Sequence, residues 1–140
     1  MPVNDAGRPA YLDCAASTPM RDAAVQAMLP FLTSEFGNPS GAHRMARSSR
    51  AAIDETRDLV AEELGFGPHD IVFTGGGTEA DNLALLGVVA AMGGVAVCPA
   101  TEHHAVLHPV ESVGGRLVAV HPDGTVDLDD LAANLDHTVS

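Results

Sequence analysis

The stretch Asp70-Ile-Val-Phe-Thr-Gly-Gly-Gly-Thr-Glu-Ala-Asp-Asn82 decides how this chain is read. Asp70 to Thr74 carries the apolar run of a buried strand, Gly75 to Gly77 permit a sharp turn, and helical spacing runs from Ala80 to about Met92. Strand, glycine turn and helix in that order suit a phosphate, because free amides and the positive end of the helix dipole attract an anion. Thr78 adds a hydroxyl donor at the helix start. The same residues read equally well as a plain glycine turn in which Thr78 caps the helix and nothing binds.

Outward from this unit the alternation continues. On the carboxyl side, Val95 to Cys98 reads as a strand, Glu102 to Val113 as a helix, Arg116 to Val120 as a third strand and Asp127 to Leu135 as a short helix. Asp136 to Ser140 looks like the approach to another strand. On the amino side, the pattern gives a short strand at Ala10 to Asp13 and a helix over about Arg21 to Ser34 that Pro30 should bend or weaken. A loop follows at Phe36 to Gly41, and then a long helix from Ala42 to Leu64 that Gly65 should end. The order predicts an α/β fold with a mostly parallel sheet and flanking helices. Three strands make a thin sheet for a chain of this length, so the fold is expected to be incomplete, part of a larger one.

Composition narrows the chemistry. Of 140 residues 46% are hydrophobic, which excludes a disordered chain, and 7 basic against 19 acidic side chains give a net charge of −12. That balance argues against nucleic acid and anionic membranes as partners. The basic residues are Arg8, Arg21, Arg44, Arg47, Arg50, Arg57 and Arg116, so the chain holds no lysine. A P-loop requires one, which excludes nucleoside triphosphate hydrolysis. Cys14 and Cys98 read as small buried thiols, not as a disulfide framework or as nucleophiles. No signal-peptide pattern is present, and Leu83 to Ala91 falls short of the ~20 apolar residues that span a bilayer, so a cytoplasmic protein is expected.

Three further groupings have competing readings. Gly75-x-Gly77-x-x-Ala80 fits a permissive dinucleotide pattern, although Glu102 follows at more than the ~20 residues expected of the ribose-binding acid. This keeps a stand-alone phosphate- or dinucleotide-binding α/β module as the alternative. His104 and His108 lie four apart on a helix but lack the further ligands of a zinc site, so no metal is expected. His103, directly after a strand, is placed where α/β sheets meet their ligands, or is an ordinary surface histidine. Arg44, Arg47, Arg50 and Arg57 read as a solvated helix face paired with Asp54, Glu55 and Asp58.

Four segments in order resemble the amino-terminal half of the cysteine desulfurases, pyridoxal phosphate enzymes with the class V aminotransferase fold, a fold-type I transferase. They are Leu12-Asp-Cys-Ala-Ala-Ser-Thr-Pro19, Phe36-Gly-Asn-Pro-Ser-Gly-Ala-His43, Ile71 to Asn82 as quoted above, and Thr101-Glu-His-His-Ala-Val-Leu107. The resemblance implies that residues 1–16 belong to a small domain and residues 17–140 to the amino-terminal half of the large cofactor-binding domain. It gives Gly77 and Thr78 the cofactor phosphate, with glycine where the family has alanine at position 77. It gives His103 the catalytic task of stacking on the pyridine ring and assisting proton transfer, and it sets Asn38 and His43 near the active-site mouth.

The complete enzyme would remove sulfur from L-cysteine, giving L-alanine and an enzyme persulfide for iron-sulfur cluster or thio-cofactor assembly. It would act as a homodimer and pass sulfur to a scaffold or carrier protein. Selenocysteine lyases and kynureninase-like enzymes share parts of this half. The family's Schiff-base lysine, the acidic partner of the pyridinium and the persulfide cysteine lie downstream of these motifs. Cys14 and Cys98 match none of them, and the 140 residues alone are expected to be inactive.

Overall fold

The computed structural model describes residues 10–139, which fall into two compact units divided between Ile71 and Val72. The first unit is helical. Helix α1 spans Asp22–Thr33 and continues through Pro30, whose missing N–H leaves the carbonyl of Gln26 without its helical donor. None of its residues is buried, and Leu32 is 70% exposed. Helix α2, Arg44–Leu64, starts where the imidazole of His43 accepts a hydrogen bond from the amide of Ala46, and it buries Ala46, Ser49 and Ala61. Gly65 ends it as expected, in the left-handed conformation at φ 74°, with its N–H on the last carbonyls.

The loop between α1 and α2 is fastened to α2. Ser48 Oγ donates to the Glu35 carboxylate at 2.5 Å and Ser49 Oγ to the Glu35 carbonyl at 3.1 Å. Gly37 lies so close to α2 that a Cβ there would sit 2.5 Å from the carbonyl carbon of Met45 and 2.6 Å from its oxygen. The arginines of α2 also do something other than pair with the acids of their own helix. Arg47 donates to the Ala42 carbonyl at 2.6 Å and Arg57 to that of Ile71, so both guanidiniums fasten neighbouring backbone.

The second unit carries the α/β part. Helix α3 is Gly77–Met92, strand β1 is Val97–Pro99, helix α4 is His104–Ser112, strand β2 is Arg116–Val118 and helix α5 is Leu128–Asn134. β1 and β2 pair in parallel, with Cys98 opposite Leu117, and α4 is the crossover between them. The core is formed by Ala96, Cys98 and Val110, with Leu85, Val89, Val106 and Leu107 packed against it, so α3 and α4 lie together over one face of the sheet. Val139 makes a parallel bridge to Val95, as the strand-like approach at 136–139 implied. On the sheet Val97, Val118, Leu128, Leu131 and Val139 line an apolar hollow beneath α5, with Leu128 71% exposed.

Several expectations are corrected. Residues 10–13 and 71–74 are not strands. The apolar pattern supplies the side chains of a strand, but the strand itself is made by hydrogen bonds to neighbours distant in sequence. Val72 and Phe73 are accordingly 63% and 48% exposed. Pro68–Asp70 forms a short 3-10 turn in front of them. The strands that do form are shorter than the pattern suggested, and β1 begins at Val97. Cys14 is exposed because its run of small residues occupies an irregular turn, whereas Cys98 is buried.

Arg116 holds the end of the second unit, donating to the Asn134 carbonyl at 2.7 Å, the Asp136 carboxylate at 3.1 Å and Thr138 Oγ1 at 2.9 Å. The Thr138 hydroxyl and amide, and then Arg116, hold the Asp136 carboxyl below its ordinary value of 3.8. A depressed carboxylate favours the folded form above its ordinary pKa and loses that advantage as pH falls through the folded one. The protection of the Val139 amide against hydrogen exchange, corrected for the intrinsic rate at each pH, is therefore expected to hold at neutral pH and to fall below about pH 3.8, and Asp136→Asn should abolish that acid dependence. In the first unit, Gly37→Ala is expected to destabilise by about 1–3 kcal/mol through overpacking against the α2 backbone, read from denaturant unfolding.

Candidate functional site

The start of α3 is built by Gly76, Gly77, Thr78 and Glu79. Gly76, not Thr78, is the N-cap, in an extended conformation and without a side-chain cap, so Thr78 stands in the second helical position. Its hydroxyl is thereby released from the capping task the sequence offered it and is exposed. The amides of Gly77 and Thr78 belong to the first turn, where no helical carbonyl can accept them. Together with Gly75, Glu79 and Asn82 these residues line one open hollow.

Two local contacts shape that hollow. Thr74 Oγ1 donates to the Gly76 carbonyl at 3.1 Å, and Glu79 turns back so that its carboxylate accepts from the Gly75 amide at 2.6 Å. The carboxylate also complements the positive end of α3. A Cβ on Gly77 would meet nothing within 4 Å, so neither the turn nor the hollow requires glycine there.

His103 begins the second helix of the site. It is the N-cap of α4, its Nδ1 accepting from the Ala105 amide at 3.1 Å, and it is exposed. With Nδ1 an acceptor, the proton of the neutral ring is on Nε2. Asn82 joins the two helix starts: its Nδ2 donates to the Thr78 carbonyl at 2.7 Å and to the Ala105 carbonyl of α4 at 3.2 Å. The structure thus ties together the elements that carry Gly77, Thr78 and His103.

The remaining candidates have other surroundings. His104 stacks on His108 at 5.0 Å between ring centroids and lies 6.2 Å from His103, and no group of three or more metal-binding side chains is present among the described residues. The buried Cys98 thiol is pushed up by burial and then by the carboxylates of Glu102 and Glu111, which disfavours a nucleophilic thiolate. Asn38 and His43 belong to the first unit. Asn38 Oδ1 accepts from the Ser40 amide at 3.0 Å, and His43 Nδ1 caps α2. Among the described residues no helix is long and apolar enough to cross a membrane.

Sequence reasoning quoted Glu79 and Asn82 without giving either a task. The signal for Asn82 was its place: an amide side chain four residues after Thr78, on a helix whose other face is apolar. Because the space at position 77 is open, Gly77→Ala is expected to leave anion binding unchanged. It should stabilise the second unit by about 0.4–1 kcal/mol, measured by thermal unfolding, through the reduced freedom of the unfolded chain.

Comparison with known proteins gives these features a setting. The chain is 43% identical over 132 residues to the cysteine desulfurase IscS of Dictyoglomus turgidum, covering 89% of this chain and 34% of that protein. It is 44% identical over 108 residues to the putative cysteine desulfurase IscS 1 of Bacillus subtilis, covering 75% and 28%. Among solved structures, a NifS-like protein superimposes with a TM-score of 0.76 at 29% identity, over 89% of this chain and 36% of that one. DndA of Streptomyces lividans superimposes with a TM-score of 0.69 at 28% identity, over 93% and 39%. The chain therefore spans about a third of the length of these relatives. The pattern of the family described as aminotransferase class V matches residues 10–140, so the strand-turn-helix read first in the sequence lies within a chain that belongs to the class-V aminotransferases.

Proposed function

We propose that this chain contributes the phosphate turn and a ring-contacting histidine to a pyridoxal phosphate-dependent cysteine desulfurase. The observation that carries the reading is the pairing of two helix starts, one offering free first-turn amides and the Thr78 hydroxyl, the other offering the exposed imidazole of His103. The residues fit the group in part. An anion at α3 would meet the Gly77 and Thr78 amides, a hydroxyl and the helix dipole, with no cation among the residues lining the hollow and with the Glu79 carboxylate already on the Gly75 amide. The covalent anchor is not here, because the chain has no lysine, and a lysine outside these 140 residues would supply it.

Pyridoxal phosphate, when bound, supplies the electron sink that makes bonds to the substrate's α-carbon and β-carbon labile. The chain's own residues do simpler things. Gly77 and Thr78 would hold the phosphate, while the Glu79 carboxylate holds the Gly75 amide. His103 would lie beside the pyridine ring, and any proton it holds or gives there would be on Nε2, since Nδ1 is engaged by the Ala105 amide. The desulfurase names of the relatives support L-cysteine as substrate, with L-alanine as product and the sulfur passed through an enzyme persulfide to an acceptor protein. A homodimer in the cytoplasm, with residues 1–16 part of a small domain, completes the reading.

Thr78→Ala in the full-length protein is expected to weaken pyridoxal phosphate binding by about 1–3 kcal/mol, the range for a charge-assisted donor, as followed by the cofactor's absorbance. An unchanged affinity would remove Thr78 from the phosphate site. Protection by a nicotinamide dinucleotide and none by pyridoxal phosphate would replace the reading with dinucleotide binding.

A further inference from the structure

Asparagine is an unfavourable residue inside a helix, because its side chain competes for backbone hydrogen bonds. Asn82 nevertheless occupies the second turn of α3, half-buried, where one NH2 group serves two carbonyl oxygens on different helices. Each acceptor has a distinct meaning for the site. Thr78 is the residue whose amide and hydroxyl face the hollow, and Ala105 is the residue whose amide is held by His103. The carboxamide supplies two hydrogens from one atom. An ionised aspartate at that position supplies none, serine supplies one, and leucine fills the space without any.

We propose that Asn82 is a positioning residue. It sets the separation and orientation of the phosphate turn relative to the His103 ring, so that a single ligand with a phosphate at one end and an aromatic ring at the other engages both. The inference rests on the cofactor reading above. Its physical content is that of a two-point ligand: holding two weak subsites at the right spacing makes the second contact nearly intramolecular, and losing the spacing forfeits that gain while each subsite survives.

The test compares three probes, pyridoxal 5′-phosphate, pyridoxal and inorganic phosphate, in the full-length protein and in its Asn82→Leu and Asn82→Asp variants. Asn82→Leu is expected to lose about tenfold or more in affinity for pyridoxal 5′-phosphate while binding of pyridoxal and of inorganic phosphate changes by less than about twofold; Asn82→Asp, which adds a negative charge to the lining of the hollow, is expected to weaken inorganic phosphate as well and to leave pyridoxal within about twofold. Equal losses for all three probes would make Asn82 a merely structural residue, and an unchanged affinity for pyridoxal 5′-phosphate would overturn the proposal outright.

A measurement on the unmutated protein covers the case in which the variants do not fold. Inorganic phosphate should slow hydrogen exchange at the amides of Ala105 and Val106 in α4, and exchange that ignores phosphate would overturn the coupling. If the unmutated protein binds none of the probes, the cofactor reading falls and takes this inference with it. If it binds pyridoxal 5′-phosphate and Asn82→Leu binds it equally well, the cofactor reading stands and the inference alone is lost.

Discussion

A helix begins with amides that no helical carbonyl can accept, and this chain places two such beginnings side by side. α3 starts at Gly76 with no side-chain cap, leaving its first-turn amides to the hollow, whereas α4 starts at His103 with an imidazole already on one of its amides. The difference leaves one helix start with amides that nothing in the helix accepts and the other with an exposed imidazole. The two starts are joined by the Asn82 carboxamide and by the apolar packing of Leu85 and Val89 of α3 against the Val110 core. The parallel strands beneath contribute by fixing where α4 can begin, since β1 ends at Pro99 and the chain turns at once into Thr101 and Glu102 before His103.

The local elements that depend on near neighbours were legible in the sequence. Helices α1 to α5 fall within a few residues of their expected places, and Gly65 ends α2 because only a left-handed residue closes it without strain. The strands were less legible, because a strand is completed by a partner the local pattern does not name. Ile71 to Thr74 has strand-like side chains and no strand, whereas the strand-like approach read at 136–140 does find a partner, Val139 bridging to Val95.

The site shows the same division. Gly77, Thr78 and His103 were singled out because glycine turns and a histidine after a strand are local signals, and the family motifs point to the same residues. Of the two readings left open for Thr78, the cap is excluded, since Gly76 takes that place, a choice that depends on how the turn enters the helix. Asn82 went without a role because its meaning lies in a contact across 23 positions. The arginines of α2 were read by helical spacing as partners of nearby acids, yet Arg47 and Arg57 reach backbone carbonyls beyond the helix, a use no periodicity reports.

On the proposed function, His103 would couple fold and chemistry at a single side chain. Its Nδ1 closes the first turn of α4, so a replacement that kept an aromatic face but lacked that nitrogen would leave the Ala105 amide exposed at a helix start, a loss of about 1 kcal/mol. A phenylalanine could stack and a serine could cap, but neither does both. On that reading selection at this position would act on two properties through one ring, and the range of tolerated residues would be set by their intersection, narrower than either the helix or the ligand would demand alone.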